Sequence, residues 1–172
     1  MTAASKAVVD QIEQQLTDVD SNTVHITWNG IPYWVRQSAS QIALIAGASP
    51  ILYLDHSVDP YDNPIGQVVA ITDAVVVVVD VNASRQNPSA VSSVFNRTAI
   101  TSLVVDSVTN NEKEGDDWPR SISVRVSVGG KELTLPYRPY SPHLIRSLSE
   151  LIPDLAKDIR AEVPAIETAA KT

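Results

Sequence analysis

The sequence predicts an α+β chain that is mainly β. The expected form is a bent antiparallel sheet or partly open β-barrel, with an N-terminal surface helix and a C-terminal amphipathic capping helix. Three observations carry this expectation. From Gln67 onward β-branched runs dominate, including five consecutive valines at Val75–Val79, and such side chains are stiff at χ1 and favour strands. Asn29-Gly30 and Gly129-Gly130 lie between alternating apolar residues, the signature of two-residue hairpin turns. Residues 142–162 carry a broad, one-faced helical stripe.

Val8, Ile12, Leu16 and Val19 form one narrow stripe in a helix starting at Ala3, with Lys6, Asp10, Glu13 and Gln14 on its other faces. A surface helix packed on its own domain is the expectation, ahead of an oligomerising one. Residues 23–37 read as a hairpin around Asn29-Gly30. Its turn sets Trp28 against Ile31, Ile26 against Tyr33 and Val24 against Val35, with His25, Thr27, Trp34 and Arg36 on the opposite face. Pro32 puts the second strand at a sheet edge or beside a bulge.

Residues 38–66 fit either a short helix or a strand around Ile42–Ile45, then a short strand at Ile51–Leu54 and a Pro/Asn/Asp loop. Val68–Thr72 and Val75–Val81 are strands separated by Asp73-Ala74. The unbroken valines predict burial on both faces, by a sheet on one side and a helix on the other, and an interior position. After a polar loop at 82–90 comes a strand over 98–108 and an acidic loop over 109–117. A second hairpin over 121–137 has Val126 facing Leu133, Val124 facing Leu135 and Ile122 facing Tyr137. In the last helix Ser141 is a suitable N-cap and Pro142 a suitable first residue. Leu144, Ile145, Leu148, Leu151, Ile152, Leu155 and Ile159 stay in phase across Pro153, which predicts a kink or restart. The expected organisation is an N-terminal helix over 1–20, one β-rich domain over 21–162 and a flexible tail over 163–172.

Charge and composition narrow the function classes. Thirteen Lys+Arg against twenty Asp+Glu give a net charge of −7, which argues against nucleic acid and against electrostatic membrane binding. The first residues lack the basic-then-apolar pattern of a secretory leader. The expected location is therefore cytoplasmic, or the virion if the chain is an assembly component. With no cysteine, disulfides, thiolate metal sites and a Cys nucleophile are excluded.

No phosphate-binding glycine loop, nucleophile elbow or zinc-protease helix motif occurs, and the three histidines (His25, His56 and His143) share no metal-ligand spacing. Asp55-His56 with Asp59 and Asp62 is the densest acid–base or metal candidate, but its spacing does not match a calcium loop, and a solvated loop is the expectation. Glu112, Glu114, Asp116 and Asp117 read as a solubilising loop. No catalytic residue, metal or cofactor is expected. The partner-binding candidates are His25, Trp34 and Arg36, because exposed Trp and Arg are frequent interface anchors. A second candidate, for an anionic ligand, is the set Arg120, Arg125, Lys131 and Arg138 around the second hairpin.

Over residues 66–160 the chain resembles the bacterial pleckstrin-homology-like domains. The matching stretches are VAITDAVVVVVDV (69–81), FNRTAITSLVVDSV (95–108), SISVRVSVGGKELTLPY (121–137) and SPHLIRSLSELIPDLAKDI (141–159). The resemblance implies a bent β-barrel whose end is capped by the C-terminal helix, and binding of peptide, protein or lipid rather than catalysis. It assigns no site residue. The acidic 109–117 insertion, Pro153 and the N-terminal third depart from the pattern.

The resulting expectation is a non-enzymatic binding or adaptor domain that recognises a protein partner. One alternative is a structural subunit of a larger assembly, such as a phage virion or tail component. Another is an anionic-lipid module using Arg125 and Lys131.

Overall fold

In the computed structural model, residues 3–19, 30–59, 64–84, 86–109 and 119–161 are described. The elements are α1 (Ala3–Val19), α2 (Tyr33–Ala46), β1 (Ile51–His56), β2 (Ile65–Thr72), β3 (Val75–Asn82), β4 (Ser89–Asn96), β5 (Ile100–Thr109), β6 (Ser121–Val128), β7 (Lys131–Leu135) and α3 (Pro142–Ala161), with a 3-10 turn at Arg97–Ala99. The class is α+β, mainly β. The strands form two antiparallel sheets, ordered β1-β2-β3-β4 and β5-β6-β7, rather than one closed barrel.

The valine run explains the layering. β3 lies inside the first sheet, paired to β2 and β4 along its whole length. Its side chains alternate between two cores. Val76 and Val78 join Tyr53, Val69 and Ile71 in a core shared with the second sheet and α3. Val77, Val79 and Val81 join Leu54, Val68 and Ala70 in a second core beneath α1 and α2. Helices therefore cover one face of the run, and a sheet with its helix covers the other. Strand periodicity of two divides a continuous apolar run equally between them.

α3 contributes Leu144, Ile145, Leu148, Leu151 and Leu155 to the first core, with Ile152 and Ile159 packed at its margin. It runs unbroken through Pro153, because a continuous apolar stripe holds both halves against the same core. The Gly129-Gly130 turn joins β6 to β7 with Val124 opposite Leu135 and Val126 opposite Leu133 as expected, but the expected pair of Ile122 with Tyr137 does not form, because β7 ends at Leu135 and the Tyr137 N–H turns to Asp55. Both glycines have positive φ, which L residues rarely adopt. A Cβ at Gly129 would fall inside the Phe95 ring, so the tip of this hairpin is fitted against β4.

Two local expectations are overturned. The hairpin over 23–37 does not form: Tyr33–Ala46 is a helix, α2, and residues 23–29 lie outside the described set. Trp34, Val35, Ser38, Ala39, Ile42 and Ala46 are its buried residues, a helical stripe that includes a serine and two alanines. Pro32, at φ −55 and ψ 145, precedes the first turn. A proline is well tolerated there, because the first N–H groups of a helix have no intrahelical partner. Second, the polar loop expected over 82–90 ends earlier, because residues 89–96 form β4, a strand not expected from the sequence, whose alternation is muted by Ser89, Ser92, Ser93 and Asn96.

Candidate functional site

The sequence-derived patch around Trp34 is not a surface patch. Trp34 lies on α2 with 2 % of its surface exposed, and its ring meets the His56 ring edge-on at 5.0 Å between centroids. Helical phase turns position 34 into the core, whereas a strand at the same position would point it to solvent. Arg36 remains exposed on the other side of α2, so the helix separates the two residues a strand would have aligned. His25 lies outside the described residues.

The proposed anionic-ligand set is engaged internally. Arg125 on β6 donates from Nε and Nη2 to Asp106 on β5 at 2.8 Å each, and Lys131 donates to Asp80 at 2.8 Å. Arg138 donates to the His56 carbonyl and lies 3.7 Å from the Asp55 carboxylate. Arg120 is exposed. The set is therefore not one field of available positive charge, because Arg125, Lys131 and Arg138 each meet a carboxylate of their own chain.

Asp55 and His56 are wholly buried at the end of β1. Both Asp55 oxygens accept hydrogen bonds: Oδ2 from the Tyr53 hydroxyl at 2.9 Å and the Tyr137 N–H at 2.7 Å, Oδ1 from the His56 N–H at 2.7 Å. Burial raises the Asp55 carboxyl above its ordinary value, against the three donors and Arg138, which all favour ionisation. Burial, then the Asp55 charge, pushes the Tyr53 hydroxyl up strongly.

The polar chain continues outward. The Tyr137 hydroxyl donates to Gln67 at 3.0 Å, and Gln67 donates to Asp80 at 2.8 Å. Burial alone would raise the Asp80 carboxyl, but the Lys131 and Gln67 hydrogen bonds hold it below its ordinary value. This seam ties β1, β2 and β3 to the β6–β7 turn and the segment after β7, so its chemistry is cross-linking of the two sheets. No solvent-exposed surface of Asp55 or His56 is available to a substrate, and among the described residues no group of three His, Asp or Glu is arranged to hold a metal ion.

The surface features include a cleft and an edge strand. A cleft of about 340 Å³ lies between α1, β1 and the start of α3, with Asp18, Ser141, His143 and Ser147 on its wall. Asp18 there accepts a hydrogen bond from Gln14. Among the described residues no bond links Asp18, His143 and Ser147, so no acid–base relay is assembled.

The other feature is β5. This ten-residue strand ends the second sheet, and Val104, Val105 and Val108 on it are 40 %, 45 % and 44 % exposed. Val105 and Val108 pair with Val124 and Ile122 and so belong to the core-facing side, while Val104 pairs with Arg125 on the outer side. A register shift between Val105 and Ser107 marks a bulge near the middle. The strand is legible in the sequence, but its edge position is not. The one local signal is Asp106, a charge that a buried strand rarely accepts.

No protein-family model, curated protein or solved structure matches the chain. No helix among the described residues is long and apolar enough to cross a membrane.

Proposed function

We propose that the chain is a non-enzymatic protein-binding module of pleckstrin-homology-like architecture, which takes an extended strand of its partner along the open edge of β5. One observation carries this reading: a ten-residue edge strand with three part-exposed valines. Such an edge presents unpaired backbone N–H and C=O groups, and proteins usually blunt it with charges, prolines or a cover. Strand addition uses those backbone groups for affinity and the alternate side chains for specificity. β5 carries one charge, Asp106, and no proline.

Support for the architecture comes from the elements shared with the pattern, two strands joined by Asp73-Ala74, a later strand β5, a hairpin and a C-terminal helix on the shared core, while β4 stands between β3 and β5 as an additional strand. The binding class is supported by the ion pairs of Arg125, Lys131 and Arg138 with carboxylates of their own chain and by the burial of Asp55.

Selection of the full chain against a library of short linear peptides tests the reading. Recovered peptides are expected to alternate apolar and polar residues, to lose binding to a Val104→Asp variant, and to bind an Arg36→Ala variant normally. No enrichment, or peptides that bind Val104→Asp as well as wild type, would overturn it.

A further inference from the structure

We infer that the cleft between α1, β1 and α3 binds a short, positively charged peptide, which adds as an extended strand to the outer edge of β1. The site is separate from the β5 edge and does not rest on that reading. β1 ends the first sheet, so its outer side has no strand partner among the described residues. The ladder tells which of its backbone groups face outward. Ser57 donates to the Gln67 carbonyl at 2.8 Å, and the same register pairs Asp55 with Val69 and Tyr53 with Ile71. In an antiparallel pair such hydrogen-bonded positions alternate with residues whose N–H and C=O point the other way. Those residues are Leu54 and His56. The His56 carbonyl accordingly accepts from Arg138 and not from β2, whereas the N–H and C=O of Leu54 face the cleft, which Leu54 lines. Among the described residues no other backbone group bonds them. Leu54 is 7 % exposed, and backbone polar groups at that depth are rarely left unpaired.

The walls follow from the two-core layering. Tyr53 enters the core shared with α3, and Leu54 the core beneath α1 and α2, so a helix of each layer overhangs the end of the sheet. The cleft, about 340 Å³, has Leu144 and Ser147 of α3 on one wall and Gln15 and Asp18 of α1 on the other. Its floor, residues 51–54, spans about 10 Å of strand, enough for an added segment of about four residues. An unpaired strand as floor supplies backbone bonds for affinity, and the walls select side chains. Charge then selects the ligand. Asp18 is the one carboxylate there, and among the described residues no Lys or Arg lines the cleft. Asp18 meets only the neutral Gln14 amide, while the one lysine of α1, Lys6, is held by Asp10. This uncompensated carboxylate favours a Lys or Arg on the added strand. A chain of −7 draws such a peptide toward it and repels a second copy of itself.

The probe is a fluorescent peptide of about five residues, alternating valine and lysine with both ends blocked, titrated against the full chain by fluorescence anisotropy. Micromolar binding is expected, about tenfold weaker for the peptide with glutamate in place of lysine. Methylating alternate backbone nitrogens removes the donors of one strand edge, and one of the two phases should weaken binding about fivefold or more. Asp18→Asn, at an exposed site, should cut the preference for lysine to about twofold. The Leu54 amide should exchange with deuterium more slowly in the complex. Val104→Asp should bind the probe as wild type does, which separates this groove from the β5 edge. No binding up to millimolar peptide, equal binding of the lysine and glutamate peptides, or a preference that survives Asp18→Asn would overturn the inference. So would full binding by both methylated phases, loss of binding in Val104→Asp, or a Leu54 amide whose exchange saturating probe leaves unchanged.

Discussion

β3 and β5 are both valine-rich strands of similar length, and they meet opposite environments. Val76–Val79 of β3 are completely buried, with alternate side chains entering two different cores. Of the three valines in β5, none is buried. Position explains the difference. β3 has hydrogen-bonded strands on both sides and covered layers above and below, whereas β5 has β6 on one side and, among the described residues, no strand on the other. A valine run therefore specifies a strand but not its solvent exposure. β4, which ends the first sheet, repeats the pattern of β5, with Val91 63 % and Val94 47 % exposed, so exposure follows position in the sheet and not valine content.

The sharpest way to break this contrast is a charge in each strand. Val78→Asp buries a carboxylate with no partner in the shared core, a loss of more than about 4 kcal/mol that should abolish the cooperative urea transition. Val104→Asp should leave that transition within about 0.5 kcal/mol, because the site is open to solvent. Comparable losses at both positions would show that β5 is covered in solution by its own chain.

The next largest effect tests whether the two sheets are joined by the polar seam as well as by their valines. Asp55→Ala leaves the Tyr53 hydroxyl and the N–H groups of His56 and Tyr137 without their acceptor, and should cost about 3 kcal/mol in urea unfolding. The seam also has a pH signature. Because the folded Asp55 carboxyl is raised, the folded state holds its proton more tightly than the unfolded chain. Its contribution is full below the unfolded carboxyl pKa and is lost as pH rises through the raised folded value. Asp80, held low by Lys131 and Gln67, has the opposite sign: its contribution is present above the unfolded value and lost as pH falls through the depressed one. Unfolding midpoints from about pH 3 to about pH 8 should lose the first slope in Asp55→Asn and the second in Asp80→Asn.

A smaller effect is expected where the second sheet touches the first through a turn. Gly129→Ala combines φ +56 with a Cβ inside the Phe95 ring, and should cost about 2 kcal/mol by thermal unfolding. The smallest is Val104→Thr, which keeps β-branching at an exposed site and should change stability by less than about 0.5 kcal/mol. A large loss there would mean that Val104 is packed, against the exposure that distinguishes β5 from β3.

Features whose signals are local were legible in the residues alone. The second hairpin follows from Gly129-Gly130 and the alternation around it, because a two-residue turn fixes register and register fixes faces. α3 follows from its 3.6-residue stripe, and the two-sided burial of Val75–Val79 from the absence of alternation. Tertiary structure decided the rest. Asn29-Gly30 beside a short apolar run suits a hairpin as well as a helix entry, and the helix wins because Trp34, Val35, Ser38, Ala39 and Ile42 bury together against β1–β3, a gain no local propensity expresses. The candidate site divides in the same way. Trp34 and Arg36 share a face only on a strand, Asp55 reaches Tyr137 across 82 residues, and Asp106 meets Arg125 across 19. The edge of β5 exists because β4 and β5 belong to different sheets, and strand order is fixed by which layers bury one another, not by the composition of any one strand.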